Sequence, residues 1–306
     1  MKKILVTGVA GFIGSKVAKK ISETGCHVIG VDDLSTGLSK NIPTNIEFIQ
    51  LDLTDKKSVQ QLPTGCDKIL HLAGQSSGEI SFDNPVLDLE KNTISTLNLI
   101  KYGILNKSEK MVYASSMSVY GAVEDKAVSE TVQCSPLSCY GVGKLASEEY
   151  LKIYNKQLPA IAMRMFNVYG PGQDMNNLRQ GMVSVFIAQA VKNKKIEIKG
   201  SLDRFRDFVF IDDVVNSWLK AAEVNHSEFL KINIATGVKT TLHKLVQLII
   251  KQDPEISFYI NGTTPGDQSG IYANNDLMKN ILKIEKTESL ESGIAKFYNW
   301  AKMEKF

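Results

Sequence analysis

Glycines recur at every third position, Gly8, Gly11 and Gly14, where the apolar run "KILVTG" (3 to 8) gives way to a helix-period segment near residues 12 to 24. A strand that turns through glycine straight into a helix brings its backbone close to a pyrophosphate, and the helix N-terminus then stabilises the negative charge. Taken alone the spacing is a weak signal, because glycine turns after strands are common. The rest of the chain sharpens it.

Further short apolar runs follow at "HVIGVDD" (27 to 33), "IEFIQLD" (46 to 52), "KILHLAG" (68 to 74), "KMVYASS" (110 to 116) and "AIAMRMF" (160 to 166). Between them lie helix-period segments near 55 to 62, 84 to 105 and 138 to 156. Strands that are apolar on both faces and take turns with helices point to a parallel sheet covered on both sides, a doubly wound α/β fold of the Rossmann type. From "YGPGQD" (169 to 174) the pattern loosens into Gly- and Pro-punctuated loops, with helices expected near 180 to 193, 212 to 223, 241 to 251 and 289 to 304. Short strands are expected at "IEIKG" and "FRDFVFI", and "FLKINIATG" (229 to 237) reads as another buried strand. The expected division is residues 1–168, with 212–240 returning to them, as the large domain, and 169–211 with 241–306 as a smaller lobe.

Composition narrows the function. A chain of 306 residues with 43% hydrophobic and 23% charged residues is ordinary for a globular protein. Its 36 Lys plus Arg against 33 Asp plus Glu leave a formal charge of +3, which argues against nucleic-acid binding by charge. Met1-Lys2-Lys3 before an apolar run imitates a secretion signal, but regularly spaced glycines do not suit a cleavable apolar helix. No later stretch approaches the ~18 apolar residues of a membrane span, so the expectation is a cytoplasmic protein. Cys26, Cys66, Cys134 and Cys139 form no CxxC pair and no metal-ligand spacing, so reduced thiols and no metal are expected.

Two acids close the second strand, Asp32 and Asp33, 18 and 19 residues past Gly14. A carboxylate there accepts hydrogen bonds from an adenosine ribose and repels a 2′-phosphate, which favours NAD over NADP. Asp52 and Leu53, at the end of the third strand, are expected beside the adenine. "SCYGVGKLASEEY" (138 to 150) sets Tyr140 and Lys144 on one helix face at i and i+4. A tyrosine, pKa about 10, is a poor base at neutral pH, but an ammonium and a positively charged nicotinamide both favour its phenolate. Ser116 ends the fifth strand in "ASSMSVYG", 24 residues before Tyr140. Ligands of open α/β sheets bind at the carboxyl ends of strands, so the two hydroxyls can converge on one substrate oxygen, although Ser115 and Ser116 also suit a helix cap or turn.

With "TGVAGFIG", "VDDLSTG", "HLAG", "SSMSVYG", "YGVGK", "MRMFNVYGPGQ", "RDFVFIDDVV" and "INIATG" in this order, the chain resembles, over essentially its whole length, the extended short-chain dehydrogenase/reductases, and among them the NAD-dependent nucleotide-sugar epimerases and dehydratases. The resemblance implies that Tyr140 is the catalytic base, that Lys144 lowers its pKa and holds the nicotinamide ribose, and that Ser116 shares the proton. It implies an NAD site of Gly8, Gly11, Phe12, Ile13, Gly14, Asp32, Asp33, Ser35, Thr36, Gly37, Asp52, Leu53, Leu72, Ala73, Gly74, Asn92, Ser115, Tyr140, Lys144 and Phe166. The substrate side, in the smaller lobe and around the catalytic hydroxyls, would be Ser76, Ser116, Met117, Tyr140, Asn167, Met182, Val183, Arg206, Asp267 and Ile271. Asn167 and Arg206 would hold a diphosphate, a task suited to the planar guanidinium fork, unless Arg206 is a surface partner of Asp207 or Asp203.

One departure concerns "TPGD", where Thr264 stands in place of the usual arginine before Asp267, leaving Arg204 or Arg179 as substitutes. Ile271 falls where relatives set a gate beside the sugar C2 substituent. Isoleucine leaves room for an N-acetyl group, or is ordinary core. His71 reads as structural, and Asp212 and Asp213 as helix-capping. Family dehydratases and decarboxylases commonly carry an acid just after the hydroxyl catalyst, whereas Met117 and Ser118 carry none. The expected activity is therefore a UDP-sugar 4-epimerase working through a transient 4-keto sugar, on UDP-GlcNAc/UDP-GalNAc and also on UDP-Glc/UDP-Gal. A nucleotide-sugar ketoreductase or dehydratase and a non-catalytic dinucleotide sensor are the alternatives. The helices at 84 to 105 and 138 to 156 resemble those that pair into a homodimer in the family.

Overall fold

The structure, a computed structural model, describes the whole chain except Gln180, residues 263–268 and Lys305. Strands and helices alternate through the first half as β1 (Lys3–Thr7), α1 (Phe12–Ser22), β2 (His27–Asp32), β3 (Glu47–Gln50), α2 (Lys56–Val59), β4 (Lys68–His71), α3 (Pro85–Leu89), α4 (Ser95–Leu105), β5 (Lys110–Ser116), α5 (Cys139–Tyr154) and β6 (Ala160–Met165). The second half adds β7 (Asn167–Tyr169), α6 (Met182–Asn193), β8 (Lys195–Ile198), β9 (Phe205–Arg206), β10 (Phe208–Phe210), α7 (Ile211–Glu223), β11 (Leu230–Ile234), β12 (Thr240–Thr241), α8 (Leu242–Ile250), β13 (Ser257–Ile260), α9 (Asp276–Leu282) and α10 (Leu290–Met303).

Seven of the strands make one parallel sheet in the order β11-β6-β5-β4-β1-β2-β3. Every residue of β4 and β5 is buried, as befits strands covered on both faces. The alternation of side chains along a strand divides the core in two: Ile4 and Val6 join Val17, Val112 and Trp218 on one face, while Leu5 joins Ile29, Ile69, Leu99 and Tyr113 on the other. From β3 at one edge the chain returns to β4 on the far side of β1. The strand order therefore reverses between β1 and β4, the switch point above which such sheets bind ligands.

Two local expectations change. The helix expected across 84 to 105 is α3 and α4 joined by a π-helical turn, Glu90–Ile94. The single strand expected at "FRDFVFI" splits at Asp207: β9 pairs antiparallel with β12, and β10 pairs parallel with β7. The buried Asp207 carboxylate causes the break, since it accepts the Thr236 N–H (2.9 Å), the Thr236 hydroxyl (2.6 Å), the Gly237 N–H (2.8 Å) and the Ala273 N–H (3.3 Å). The elements α9 and β13 lie in stretches where the sequence showed no clear period.

Helix α5 is anchored by a charge pair with almost no exposure, 1% for the Arg164 side chain and 0% for that of Glu148. Arg164, from β6, donates Nε to Glu148 Oε1 (2.9 Å) and Nη2 to Oε2 (2.6 Å), and the Ser115 hydroxyl from β5 donates to the same carboxylate (2.5 Å). Arg164 also stacks on the Tyr120 ring, 4.7 Å from its centroid. Breaking such a pair from one side strands a buried charge, so Glu148→Gln should cost about 3–5 kcal/mol of unfolding free energy in urea titrations. A loss below about 1 kcal/mol would mean that the pair does not anchor the helix.

Candidate active site

The glycine turn forms a shallow backbone cradle. Gly8 has φ +74°, and a Cβ there would lie 2.7 Å from the Ala73 nitrogen; one on Gly14 would lie 2.0 Å from the Gly8 carbonyl oxygen. Gly11 caps α1 with no side-chain acceptor, so the first amides of the helix are left for an anion. Phe12 and Ile13 open that helix. Beside the cradle the Asp32 carboxylate accepts the N–H groups of Ala10 (3.0 Å) and Leu34 (2.9 Å), tying the turn to the end of β2. The loop of Ser35, Thr36 and Gly37 folds back against the turn, where Leu38 N–H donates to the Ala10 carbonyl (3.0 Å). Leu53 is buried in the apolar layer beside Ile29 and Val31.

Asp33 and Asp52 do not face an open pocket alone. Both are ion-paired to Lys91, at 2.7 and 3.0 Å. Asp33 also accepts from Ser35, and Asp52 from Thr54. Partial burial pushes both carboxyls up, but hydrogen bonds outweigh it and leave both below their ordinary range, from Lys91 and Ser35 for Asp33 and from Thr54 and Lys91 for Asp52. Three carboxylates and one ammonium still leave this end of the cleft negative, which opposes a 2′-phosphate.

His71 is structural, as its sequence context suggested. The Thr7 hydroxyl accepts the N–H groups of Leu72 and Ala73, both at 3.1 Å, so its own proton goes to His71 Nδ1 (2.8 Å). His71 Nε2 then donates to Thr96 (3.1 Å), which donates to the Asn92 carbonyl (2.6 Å). That network needs the neutral ring, and full burial pushes its pKa down to about 3.

At the other half of the cleft Tyr140, in the first turn of α5, meets Ser116 at the end of β5. Ser138 caps the helix by accepting the Gly141 N–H (3.1 Å), and a Cβ on Gly141 would lie 2.6 Å from the Ser118 carbonyl oxygen. Only glycine permits so close an approach of α5 to the turn after β5. Lys144 lies one turn on, its Nζ 5.6 Å from the Tyr140 ring centroid and 5.0 Å from that of Tyr113. Burial pushes the Tyr140 phenol up to about 12, with Ser116 pulling down and Asp88 pushing up. Among the protein's own groups, loss of water outweighs the hydrogen bond with Ser116. Burial also brings Lys144 down to about 8, with Asp88 opposing.

Asn92 donates Nδ2 to Asp88 Oδ1 (3.1 Å), while Asn92 Oδ1 and Asp88 Oδ2 are buried and unpartnered. A Cβ on Gly74 would lie 2.6 Å from Asn92 Oδ1 and 3.4 Å from Lys144 Nζ, so the two polar groups meet against the bare Gly74 backbone. Ser115 is the clearest departure from the expected cofactor site, because its hydroxyl is committed to the buried Glu148 carboxylate. Phe166 is buried among apolar side chains.

On the substrate side, Asn167 donates Nδ2 to the Asp207 carbonyl (3.0 Å) and reaches Met117 Sδ (3.5 Å). Arg206 is buried, donates Nη1 to the Phe205 carbonyl (2.8 Å), and is lowered to about 10 by burial and by Arg204. Asp207 is spent on Thr236, Gly237 and Ala273. Met182 and Val183 open α6, with Val183 in the core. Ser76 is exposed beyond β4. Thr264 and Asp267 lie outside the described residues. Arg179 pairs with Glu79 (3.1 Å) and Asp83 (2.9 Å), and Arg204 donates to the carbonyls of Ser201 and Lys199. Ile271, 2% exposed, packs with Val119, Tyr120 and Phe166 in a cluster against which Met117 rests.

No motif singled out Asp88, Lys91, Glu148 or Arg164. Glu148 had a signal: Tyr140, Lys144 and Glu148 recur at i, i+4 and i+8 on one stripe of α5. Asp88 and Asn92 are likewise spaced at i and i+4.

Residues 4–235 match the model of the NAD dependent epimerase/dehydratase family. A putative UDP-glucose 4-epimerase of Methanocaldococcus jannaschii is 33% identical over 311 aligned positions, covering 98% of each chain. The crystal structure of UDP-glucose 4-epimerase from Thermotoga maritima with UDP-glucose superposes with a TM-score of 0.93 at 31% identity, covering 97% of this chain and 98% of that one. A UDP-N-acetylglucosamine 4-epimerase from Methanobrevibacter ruminantium M1, in complex with UDP-N-acetylmuramic acid, superposes at 0.92 and 26% identity over 98% and 97% of the two chains.

The buried ammonium has a measurable consequence. Between about pH 8 and the ordinary lysine range near 10.5, the unfolded chain keeps a proton on Lys144 that the folded chain releases, so folding strengthens as pH rises through that window. Wild type should gain stability relative to Lys144→Met between about pH 8 and about pH 10. A stability difference that stays flat across that range would show that the lysine is not buried as an ammonium.

Proposed function

The chain belongs to the NAD dependent epimerase/dehydratase family, and from that premise we propose that it is a 4-epimerase of UDP-sugars, acting on UDP-N-acetylglucosamine and UDP-N-acetylgalactosamine and also on UDP-glucose and UDP-galactose. The observation that carries this reading is the meeting of the Tyr140 phenol with Ser116 at the carboxyl end of β5, followed by two residues, Met117 and Ser118, that bear no carboxyl. In this reading Tyr140 takes the proton of the sugar C4 hydroxyl, and Ser116 shares it. NAD, when bound, would supply a hydride acceptor for C4 and a positive charge near the phenol. Lys144 and Asn92 hold the nicotinamide ribose, which suits the unpartnered Asn92 oxygen.

The 4-keto sugar then swings about its diphosphate, held by Arg206 and Asn167, and presents its other face. Tyr140 would return the proton to that face, and with the hydride restored to the same sugar the reaction would carry no net redox change. Elimination of water, the dehydratase outcome, needs an acid at the neighbouring carbons that Met117 and Ser118 do not supply. The N-acetyl preference is supported by volume alone: isoleucine at 271 carries no ring to fill the space next to Met117.

The chain is further proposed to work as a cytoplasmic homodimer built on α3, α4 and α5. Their outer faces leave Val86, Leu105, Val142 and Ile153 more than half exposed, a concentration of apolar surface that suits burial against a second copy. Among the described residues no helix is long and apolar enough to cross a membrane.

Chromatography of products formed from UDP-N-acetylglucosamine and UDP-glucose tests the activity. The C4 epimer should form with no accumulation of NADH and no need for NADPH, and Tyr140→Phe should lower the rate by about 10²–10⁴. Net oxidation or reduction of the sugar would favour the ketoreductase, and an unchanged rate in Tyr140→Phe would remove the catalytic assignment. For the dimer, light scattering after gel filtration should give twice the chain mass for wild type and half that value for Val142→Asp/Ile153→Glu. A monomeric wild type excludes the assembly.

A further inference from the structure

The π-helical turn between α3 and α4 places two neighbouring residues on the two halves of the cleft. Asn92 turns toward Gly74 and Lys144, while Lys91 reaches the ends of β2 and β3. Turns of this kind are frequent at functional sites because the extra residue redirects side chains. By strand order, the half above β2 and β3 is where the adenosine part of a dinucleotide falls, the glycine turn holding the pyrophosphate at the switch point.

We propose that Lys91 is an ionic strap across the adenosine half of the NAD site, tying the loops after β2 and β3 to the helical layer and slowing release of the cofactor. The inference rests on the family's dinucleotide and not on which sugar the enzyme takes. Its three members come from three separate segments: Asp33 directly after β2, Asp52 two residues past β3, and Lys91 on the π turn. Each carboxylate is stiffened by its own loop. Asp33 accepts the Ser35 N–H (2.9 Å) and hydroxyl (2.6 Å), and Asp52 accepts the Thr54 N–H and hydroxyl, both at 2.9 Å. The lysine therefore bridges two fixed points. With 20% of its side chain exposed, and 25% and 45% for Asp33 and Asp52, the group is less hydrated than an isolated surface pair, and both bonds share one ammonium. Asp32 next door has its carboxylate on Ala10 and Leu34, so without Lys91 three acids would crowd this rim uncompensated.

The test follows NAD leaving the protein, read by coupling released NAD to alcohol dehydrogenase and ethanol. Lys91→Met, which keeps an apolar stem and removes the charge, should release NAD about five- to thirtyfold faster than wild type, and Lys91→Arg should restore most of the retention. Asp52→Asn, which breaks one of the two bonds, should fall between. Wild-type release should accelerate as ionic strength rises about tenfold, while release from Lys91→Met should respond little. A folded Lys91→Met protein that releases NAD at the wild-type rate would overturn the strap. Should that variant fail to fold, the wild-type salt series and Asp52→Asn decide: salt-independent release with an unchanged Asp52→Asn rate overturns it equally.

Discussion

The reacting end of the cleft depends on the buried pair of Glu148 and Arg164. A helix packed only by apolar contacts can rotate or slide by a fraction of a residue at modest cost, because dispersion has little directionality. A two-pronged guanidinium–carboxylate contact does not allow this. Arg164 from β6 and Ser115 from β5 grip the same carboxylate, so the roll of α5 is set against two strands at once. Tyr140 and Lys144 lie two turns and one turn before Glu148 on that helix, and they inherit its phase. The Gly141 contact with the Ser118 carbonyl then sets how near α5 comes to the turn that bears Ser116. Desolvating two charges is costly, and the return here is positional.

Once the helix is seated, burial governs the chemistry. Tyr140 and Lys144 both lose water, and both shift toward their neutral forms, to about 12 and about 8. The two shifts oppose the roles proposed for these groups, because a base needs the phenolate and a ribose clamp needs the ammonium. Asp88 sits between these demands: its charge favours the ammonium and disfavours the phenolate. In the proposed reaction a positive group next to the phenol would tip the balance toward proton removal, and an oxidised nicotinamide would supply such a charge.

The sheet was legible because its signal is local and repeated: buried strands such as β4 and β5 are short apolar runs, and their shortness and their regular alternation with helix-period segments separate them from helices. The glycine turn, Tyr140, Lys144 and Ser116 were legible for the same reason, each standing in a compact motif next to a strand end. The split of "FRDFVFI" was not, since it depends on Asp207 finding Thr236, Gly237 and Ala273, partners 29 to 66 positions away. Lys91 escaped notice likewise, because a lysine on a helix reads as solvated surface until β2 and β3 bring Asp33 and Asp52 to it. The burial of Tyr140 was hidden for a different reason: a sequence shows which charges neighbour a phenol but not how much water it loses.

Cofactor residence and reaction type are linked by simple kinetics. An enzyme that oxidises one substrate and stops must let its reduced cofactor leave in every turnover, so anything that slows release limits its rate. An epimerase that returns the hydride to the same sugar has no such step, and a slow cofactor exit costs it nothing. A rim drawn together by three charged groups from three segments, at the ends of β2 and β3, is proposed to favour retention of the cofactor. The same asymmetry explains why one π turn serves both halves of the cleft: it lets adjacent residues divide the work, with Lys91 turned toward holding the dinucleotide and Asn92 toward the end where bonds change.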